Sequence, residues 1–281
     1  MLLDGKALSN KIKQELKQEI NTLVEKYGST PTLSIVVVGS NPASEIYVRN
    51  KVKSATNIGM KASVTKLDEN VTMEELIKVV DDLNKDKEVN GIIVQLPLPK
   101  HLHEQTIIDR ICDEKDVDGF GLLNKGKLLA GIESLRPATP YGIMKLLAEY
   151  NISIEGKNAL VIGRSNIVGK PIALMLLEKN ATVTIAHSRT QNLKEVAKNA
   201  DIIVVAVGKA KFLTADMVKD GAVIVDVGIN RVDGVLYGDV DFENVCEKAS
   251  YITPVPGGVG PLTIASLLEN TVKAYIRQKN K

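Results

Sequence analysis

Residues 159–171 read Ala-Leu-Val-Ile-Gly-Arg-Ser-Asn-Ile-Val-Gly-Lys-Pro, and this segment is the strongest indication of the fold of the chain around it. An apolar, strand-like run is joined to a helical pattern through a turn that begins at Gly163 and ends at Gly169. The turn differs from the usual G-x-G-x-x-G pattern, because Ser165 replaces the second glycine and the last glycine comes one residue late. Gly163 still permits a tight turn, and Gly169 still permits close packing of helix on strand, so the helix amides can face an anion. The turn predicts a dinucleotide-binding βαβ unit, with glycines that serve packing alone as the alternative.

The pattern of strands and helices continues downstream of this turn. Four apolar runs predict strands and three periodic stretches predict helices: strands 159–162, 182–186, 202–207 and 222–227, and helices 169–179, 192–199 and 214–219. The second strand ends in His187-Ser188-Arg189-Thr190, without the acid that would bind a ribose 2′-hydroxyl. Because a guanidinium offers a planar fork to phosphate, Arg164 and Arg189 favour the 2′-phosphate of NADP, unless they are ordinary surface charges.

A smaller alternation of strands and helices precedes this half of the chain. Apolar spacing predicts the following elements: helix 6–27, strand 33–38, a helix from Asn41 to about 57, strand 62–67, helix 73–83 and strand 91–95. Three strand–helix steps predict a small parallel sheet with crossover helices. Residues 96–140 are rich in proline and glycine and predict irregular structure, followed by helices from Pro140 to about 150 and over about 262–278.

Length and composition limit the class of protein. A chain of 281 residues predicts two domains. Its 36 basic and 34 acidic residues give a net charge of +2, which argues against nucleic acid as a partner. No apolar run is long enough for a membrane span, no secretory signal is visible, and two cysteines make no disulfide framework. We therefore expect a cytoplasmic protein without a membrane partner.

The first half of the chain contains polar residues whose positions make them candidates for catalysis or ligand binding. Ser44, Tyr47 and Lys51 fall at positions i, i+3 and i+7 of one predicted helix, and therefore on one face. An ammonium beside a phenol can polarise a substrate or relay protons, although the spacing alone favours a solvated face. Gln95 ends a buried-type strand, where parallel sheets bind ligands, and an amide that only caps the loop is an equal alternative.

The acidic segment around residue 116 invites a metal interpretation, which fails. Glu114, Asp116 and Asp118 resemble the start of a calcium loop, but its twelfth position is Lys125 in place of the required glutamate. The three histidines and two cysteines form no cluster in the sequence. We therefore expect no metal site.

Six motifs in this order resemble those of the bifunctional methylenetetrahydrofolate dehydrogenase/methenyltetrahydrofolate cyclohydrolases, over essentially the whole chain. The motifs are Ser44-x-x-Tyr47-x-x-x-Lys51, Val94-Gln95-Leu96-Pro97-Leu98-Pro99, Lys115-Asp116-Val117-Asp118-Gly119-Phe120, Gly163-Arg164-Ser165-x-x-Val168-Gly169-x-Pro171, Asp226-Val227-Gly228-Ile229-Asn230 and residues 254–263, Pro-Val-Pro-Gly-Gly-Val-Gly-Pro-Leu-Thr. The proline-rich and glycine-rich motifs are specific, whereas the tyrosine–lysine pair is not.

The resemblance implies a fold and two reactions. The fold would comprise two parallel-sheet α/β domains with a cleft between them: a folate-binding domain, 1–138 plus 257–281, and a Rossmann-type NADP-binding domain, 139–256. The enzyme would oxidise 5,10-methylenetetrahydrofolate with NADP and then hydrolyse the 5,10-methenyl product to 10-formyltetrahydrofolate. Tetrahydrofolate derivatives would be its partners, and it would form a homodimer.

The resemblance also implies roles for individual residues. Lys51 would be the central catalytic residue, with Tyr47 positioning the folate, Gln95 contacting Lys51 and Asp118 binding the pterin ring. The glycine-rich loop at Pro256, Gly257 and Gly258 would let backbone approach the substrate. Residues at the cofactor would be Gly163, Arg164, Ser165, Ser188, Arg189 and Ile229. Gly121 departs from the histidine or threonine usual after Asp-Gly-Phe and would loosen the loop beside Asp118.

Three alternatives differ in class. A short-chain dehydrogenase also combines Ser, Tyr-x-x-x-Lys and a nicotinamide fold, but places them after the dinucleotide turn, whereas Lys51 precedes Gly163 by more than a hundred residues. A non-enzymatic NADP-binding sensor would leave Gln95 and Asp118 without purpose. A dehydrogenase that has lost the second activity would lack a catalytic residue, and no such loss is visible.

Overall fold

A computed structural model describes the backbone of residues 1–281 and all side chains except those at positions 42 and 43. The chain divides into two compact units, each built from two segments. The first-sheet unit comprises Lys11–Ala138 and Ile264–Lys281, and the second-sheet unit comprises Met1–Asn10 and Thr139–Thr263.

The first-sheet unit is built on three parallel strands in the order β2-β1-β3. Its elements are α1 (Gly5–Tyr27, which begins in the other unit), β1 (Thr32–Val38), α2 (Pro42–Asn57), β2 (Lys61–Leu67), α3 (Met73–Lys85), β3 (Gly91–Val94), α4 (Glu104–Arg110), α5 (Leu122–Leu129) and most of α10 (Val259–Lys279). Successive residues of β3 and of nearly all of β1 are buried, which means that both faces of these strands are covered. The predicted small parallel sheet is confirmed.

The second-sheet unit contains five parallel strands in the order β10-β7-β6-β4-β5. Its elements are α6 (Ala138–Glu149), β4 (Asn158–Ile162), α7 (Gly169–Leu177), β5 (Thr182–Ala186), α8 (Leu193–Lys198), β6 (Ile202–Val205), β7 (Val223–Asp226), a hairpin of β8 (Asn230–Val232) and β9 (Val235–Tyr237), α9 (Phe242–Val245) and β10 (Tyr251–Ile252). The chain turns from β4 to β5 on one side and later continues as β6 on the other. Ligands of doubly wound sheets bind at the carboxyl ends of the strands at such a reversal.

The N-terminal residues pack with the second sheet. The Leu3 N–H donates to the Ile252 carbonyl, and the Lys6 N–H donates to the Gly257 carbonyl. An added Cβ on Gly5 would lie 1.9 Å from the Gly258 oxygen, so the two backbones touch. The packing units therefore differ from the predicted domains, 1–138 plus 257–281 and 139–256, in residues 1–10 and 257–263. The functional bounds of the two domains stay a prediction.

Some local expectations are wrong. Residues 96–140 are not wholly irregular, because α4 and α5 form within them, with His103 capping α4 by accepting the Thr106 N–H. The glycines flank α5 more than they interrupt it, with Gly121 at its N-cap and Gly131 just beyond its end. The predicted helix 214–219 is only a 3₁₀ turn, Ala215–Met217, since so short a segment forms few helical hydrogen bonds. No helix of the described chain has the length and apolar character to cross a membrane.

Candidate active site and cofactor site

A buried ammonium group lies on helix α2. Lys51 is 8% exposed, and its Nζ donates to Oε1 of Gln95, 3.1 Å away. Gln95 directly follows β3, and its Nε2 donates to the Leu96 carbonyl, which fixes the direction of the amide. Among the described side chains, no carboxylate lies within ion-pair distance of Nζ. The ammonium is therefore held by a neutral partner and keeps its other hydrogens for a ligand.

The solvated-face interpretation of α2 is wrong, because Ser44 is buried as well as Lys51. Asn41 starts this helix by accepting the Ser44 N–H at 3.2 Å, as predicted for an N-cap. Tyr47, one turn before Lys51, is 43% exposed and available to a ligand. Ser44 and Lys51 are thus buried, whereas Tyr47 on the same helix is exposed to solvent.

Asp118 lies in a loop that a buried carboxylate organises. Asp116 accepts the N–H groups of Phe120 and Gly121 and the side-chain amide of Asn124, at 3.1, 2.8 and 2.9 Å. Burial raises the pKa of the Asp118 carboxyl, and the Lys51 ammonium opposes this effect. The structure thus brings Lys51, Gln95 and Asp118 together in the first-sheet unit.

Two further side chains, which the sequence did not single out, hold this loop. Asn270 on α10 donates to the carbonyls of Val117 and Arg136, both at 2.8 Å. The buried Lys115 Nζ donates to three carbonyls at the end of α3, those of Leu83, Asn84 and Asp86. Burial lowers the pKa of Lys115. The motif Lys-Asp-Val-Asp-Gly therefore contains two residues that place the loop and one, Asp118, that remains for a ligand.

Gly121, the residue expected to loosen the loop, is bound through its backbone. Its N–H is bound by Asp116, and an added Cβ would lie 3.0 Å from Asp116 Oδ2. It stands at the N-cap of α5 with extended φ and ψ, without a side-chain cap. The Asp116 carboxylate therefore holds the backbone at Gly121, and the effect of this glycine on the mobility of the loop stays a prediction.

The predicted cofactor turn lies where the strand order of the second sheet reverses. Gly163 follows β4 with φ of +132°, and an added Cβ would lie 2.4 Å from the Ala206 carbonyl oxygen that follows β6. An added Cβ on Gly169 would lie 2.3 Å from the Gly163 oxygen, so helix and turn are in contact. Ser165 Oγ accepts the N–H groups of Val168 and Gly169, both at 3.2 Å. Ser165 therefore caps the turn at the position where the usual pattern has glycine.

The surroundings of the turn fit NADP. Arg164, Ser188 and Arg189 are exposed, and neither guanidinium has a hydrogen-bond or ion-pair partner among the described side chains. The segment after β5 is ordered, because the His187 N–H donates to Thr190 Oγ1 and His187 Nδ1 accepts the Arg189 N–H. Ile229, which follows β7, is 49% exposed. A glycine cradle without side chains, together with two unpaired guanidiniums, is suited to a phosphorylated dinucleotide.

The remaining predicted substrate residues belong to the second-sheet unit. Pro256 is exposed, whereas Gly258 is buried against the Pro254 carbonyl. The Gly257 carbonyl is already bound by the Lys6 N–H. Backbone contacts thus hold this loop against the N-terminal residues and against Pro254, and Pro256 is its exposed residue.

Two carboxylates of this unit are buried, and the sequence assigned no role to either, although Asp226 begins one of the six motifs. Asp226 ends β7, and Asp239 follows β9. Burial raises the pKa of Asp226 to about 6, against the effect of three backbone N–H donors. Among the described side chains, no group of three histidine, cysteine or acidic residues is arranged to hold a metal ion.

Comparisons with known proteins show the family to which the chain belongs. The model of the tetrahydrofolate dehydrogenase/cyclohydrolase catalytic domain matches residues 3–118, and that of the NAD(P)-binding domain of the same proteins matches residues 137–279. This chain belongs to the tetrahydrofolate dehydrogenase/cyclohydrolase family. A relative, the bifunctional protein FolD of Sulfurihydrogenibium sp. strain YO3AOP1, is 56% identical over 280 residues, covering 99% of this chain and 98% of its own.

Solved structures of this family share the fold. The bifunctional FolD methylenetetrahydrofolate dehydrogenase/cyclohydrolase of Campylobacter jejuni has a TM-score of 0.96 at 52% identity, covering 100% of this chain and 99% of its own. The methylenetetrahydrofolate dehydrogenase-cyclohydrolase of Trypanosoma brucei, solved with NADP cofactor and inhibitor, has a TM-score of 0.96 at 36% identity and the same coverage. The family excludes the short-chain dehydrogenase alternative, in which Tyr47 and Lys51 would lie in the dinucleotide-binding domain.

Proposed function

We propose that this chain is a bifunctional one-carbon enzyme. It oxidises 5,10-methylenetetrahydrofolate to 5,10-methenyltetrahydrofolate with NADP, and it hydrolyses that product to 10-formyltetrahydrofolate. The observation that carries this function is the buried Lys51 ammonium on the amide of Gln95, in a chain that matches bifunctional relatives over its whole length. NADP, when bound, supplies the hydride acceptor.

The two reactions require different contributions from the protein. Loss of hydride from the methylene bridge leaves a cation stabilised by two nitrogens, so this step needs orientation and no strong base. Hydrolysis needs a proton removed from the attacking water and a proton delivered to the departing ring nitrogen. One positioned lysine can do both in turn, because its neutral amine accepts the proton of the attacking water and the ammonium so formed donates a proton to the departing ring nitrogen. We assign this role to Lys51, with Gln95 fixing the direction of its Nζ.

Asp118 is proposed to bind the pterin ring by accepting N–H groups, and Tyr47 to pack on the folate. Asp116 and Asn124 support this role because they fix the loop that carries Asp118. In the second-sheet unit, Gly163 and Ser165 would receive the diphosphate, Arg164, Ser188 and Arg189 the 2′-phosphate, and Ile229 the apolar part of the cofactor. Pro256, Gly257 and Gly258 would contact the substrate through the loop they form.

The assembly and location are also part of the proposal. We infer a homodimer in the cytoplasm that binds neither nucleic acid nor membrane, in line with the near-balanced charge. Light scattering of the purified protein tests the dimer, which would give twice the chain mass of 30.5 kDa.

An absorbance assay tests the function itself. The purified protein is mixed with methylenetetrahydrofolate and NADP or NAD, and methenyltetrahydrofolate is supplied separately without cofactor. We expect the protein to reduce NADP faster than NAD when methylenetetrahydrofolate is present. We also expect it to hydrolyse methenyltetrahydrofolate in the absence of any nucleotide. Reduction without hydrolysis would indicate the monofunctional alternative, and NADP binding without either reaction would indicate a sensor.

A further inference from the structure

Asp239 is a carboxylate with no exposed surface and four donors. Its Oδ2 accepts the N–H groups of Val207 and Gly208 at 2.7 and 2.9 Å. Its Oδ1 accepts the Lys209 N–H and the side-chain amide of Asn230, both at 2.9 Å. Four donors on one carboxylate satisfy its usual acceptor capacity, so this side chain is fully committed to the protein.

The bound donors belong to two loops beside the cofactor turn. Residues 207–209 follow Ala206, whose carbonyl oxygen is the contact that excludes a side chain at Gly163. Asn230 follows Ile229, the exposed residue assigned to the cofactor. Both loops leave the carboxyl ends of neighbouring strands, β6 and β7, where doubly wound sheets bind their ligands.

Asp239 is itself anchored from two sides. Its own N–H and that of Val240 donate to Asp226, at 2.8 and 2.9 Å, and Asp226 also accepts the Gly228 N–H at 2.9 Å. The Leu213 N–H donates to the Asp239 carbonyl, which ties the segment to the chain after β6. The loops after β6 and β7 and the segment after β9 thus form one hydrogen-bonded network.

We propose that Asp239 is a positioning residue for NADP, which sets the loops 207–209 and 228–230 against the dinucleotide turn. This inference rests on the proposed cofactor. Since Asp239 has no exposed surface, it acts on the cofactor only through the groups it holds, which are the backbone of residues 207–209 and the side chain of Asn230. Substitution by asparagine would place an NH₂ group against N–H donors and leave at least one of them unpaired, which is costly in a buried site. The loops would then shift while the core strands stayed in place.

Cyclohydrolase activity provides an internal control, because hydrolysis of methenyltetrahydrofolate needs no NADP. The variants are Asp239→Asn and the milder Asn230→Ala, which removes a single donor from the network. Asp241→Asn is the matched control, since Asp241 lies two residues on and its carboxylate pairs with Lys211 and accepts the Asn244 side-chain amide rather than the N–H groups of residues 207–209. For each protein, calorimetry gives the NADP affinity, and kinetics give KM for NADP, kcat and the rate of methenyltetrahydrofolate hydrolysis.

We expect Asp239→Asn to raise the KM and Kd for NADP about tenfold or more, with a much smaller change in kcat. Asn230→Ala should raise both constants less, and cyclohydrolase activity should match the parent in all variants.

If Asp239→Asn lowers both activities alike, or fails to fold while Asn230→Ala binds NADP normally, the residue is merely structural and the proposal is wrong. Parental NADP affinity in both variants would also overturn it. If the parent binds NADP but oxidises no folate, the proposed function fails while calorimetry still tests Asp239.

Discussion

Single residues in this chain differ in how their charges are held. Lys51 is buried on an amide, whereas Arg164 and Arg189 are exposed without partners among the described side chains. Asp118 has a raised pKa because burial disfavours its charge. None of these charges is neutralised by a salt bridge, so each remains available to a ligand of opposite charge or matching hydrogen bonds.

The two arginines should decide the choice of cofactor. Replacing either one, as Arg164→Ala or Arg189→Ala, removes a charge-assisted contact to the 2′-phosphate, worth about 1.5–3 kcal/mol. We expect KM for NADP to rise about 10- to 100-fold, and KM for NAD to change little. Arg231→Ala is the control, because that guanidinium donates to the Gly234 carbonyl on the β8–β9 hairpin. Unchanged NADP preference in both variants would remove the arginines from the site.

Asp118 should make folate binding depend on pH. Its folded-state pKa is raised, so the carboxylate that accepts pterin N–H groups is lost as the pH falls through that raised value. Folate affinity measured by calorimetry should therefore decline on acidification in the parent. Asp118→Asn should bind folate about tenfold or more weakly at neutral pH and lose this dependence, with NADP binding unchanged. An equal pH profile in variant and parent would assign the titration to another group.

Secondary-structure elements lie close to their predicted positions where the spacing of apolar residues in the sequence is regular. The long helices and the strands that the sequence predicted lie within a few residues of their predicted positions, whereas the two-residue strand β10 of the second sheet was not predicted. The β8–β9 hairpin was missed although Asp233-Gly234, both with positive φ, is a strong turn signal between apolar residues. Helices α4 and α5 were missed because the density of proline and glycine around them outweighed two short periodic runs.

The turn at Gly119 should be intolerant of a side chain. Its φ is +70°, and an added Cβ would lie 2.6 Å from backbone atoms of Arg136 and Pro137. Gly131 has a similar φ of +68°, but no atom lies within 4 Å of a Cβ added there. Gly131→Ala is therefore the control, because it adds the strain of a positive φ without a steric clash. We expect Gly131→Ala to cost about 1 kcal/mol of unfolding free energy.

Gly119→Ala should cost at least about twice as much and also weaken folate binding, because the Asp118 loop must move. Chemical denaturation and folate calorimetry measure the two effects. Equal losses for the two glycine variants would show that the contact with Arg136 and Pro137 is not restrictive.

At the scale of the molecule, the chain assigns different chemistry to its two units. Lys51, Gln95 and Asp118 lie in the first-sheet unit, and the dinucleotide turn with its arginines lies in the second-sheet unit. The sequence predicts these groups through local motifs and through the family they resemble. It does not reveal the networks of Asn270 and Asp239, because these join residues from distant parts of the chain that only the folded backbone brings together. The Asp116 network is local, but the sequence does not show which carboxylate of the segment turns inward to accept the backbone N–H groups.

The proposed proton-transfer role of Lys51 separates the two activities, because only hydrolysis needs it. Lys51→Gln keeps a hydrogen-bonding side chain of similar reach but carries no proton to transfer. Direct hydrolysis of methenyltetrahydrofolate by this variant should fall by about 10²–10⁴, whereas oxidation falls less and NADP affinity is unchanged. Lys53→Gln, on the exposed side of the same helix, is the control. We expect methenyltetrahydrofolate to accumulate visibly in the Lys51→Gln reaction. Hydrolysis at the parental rate would show that Lys51 is not the proton-transfer group.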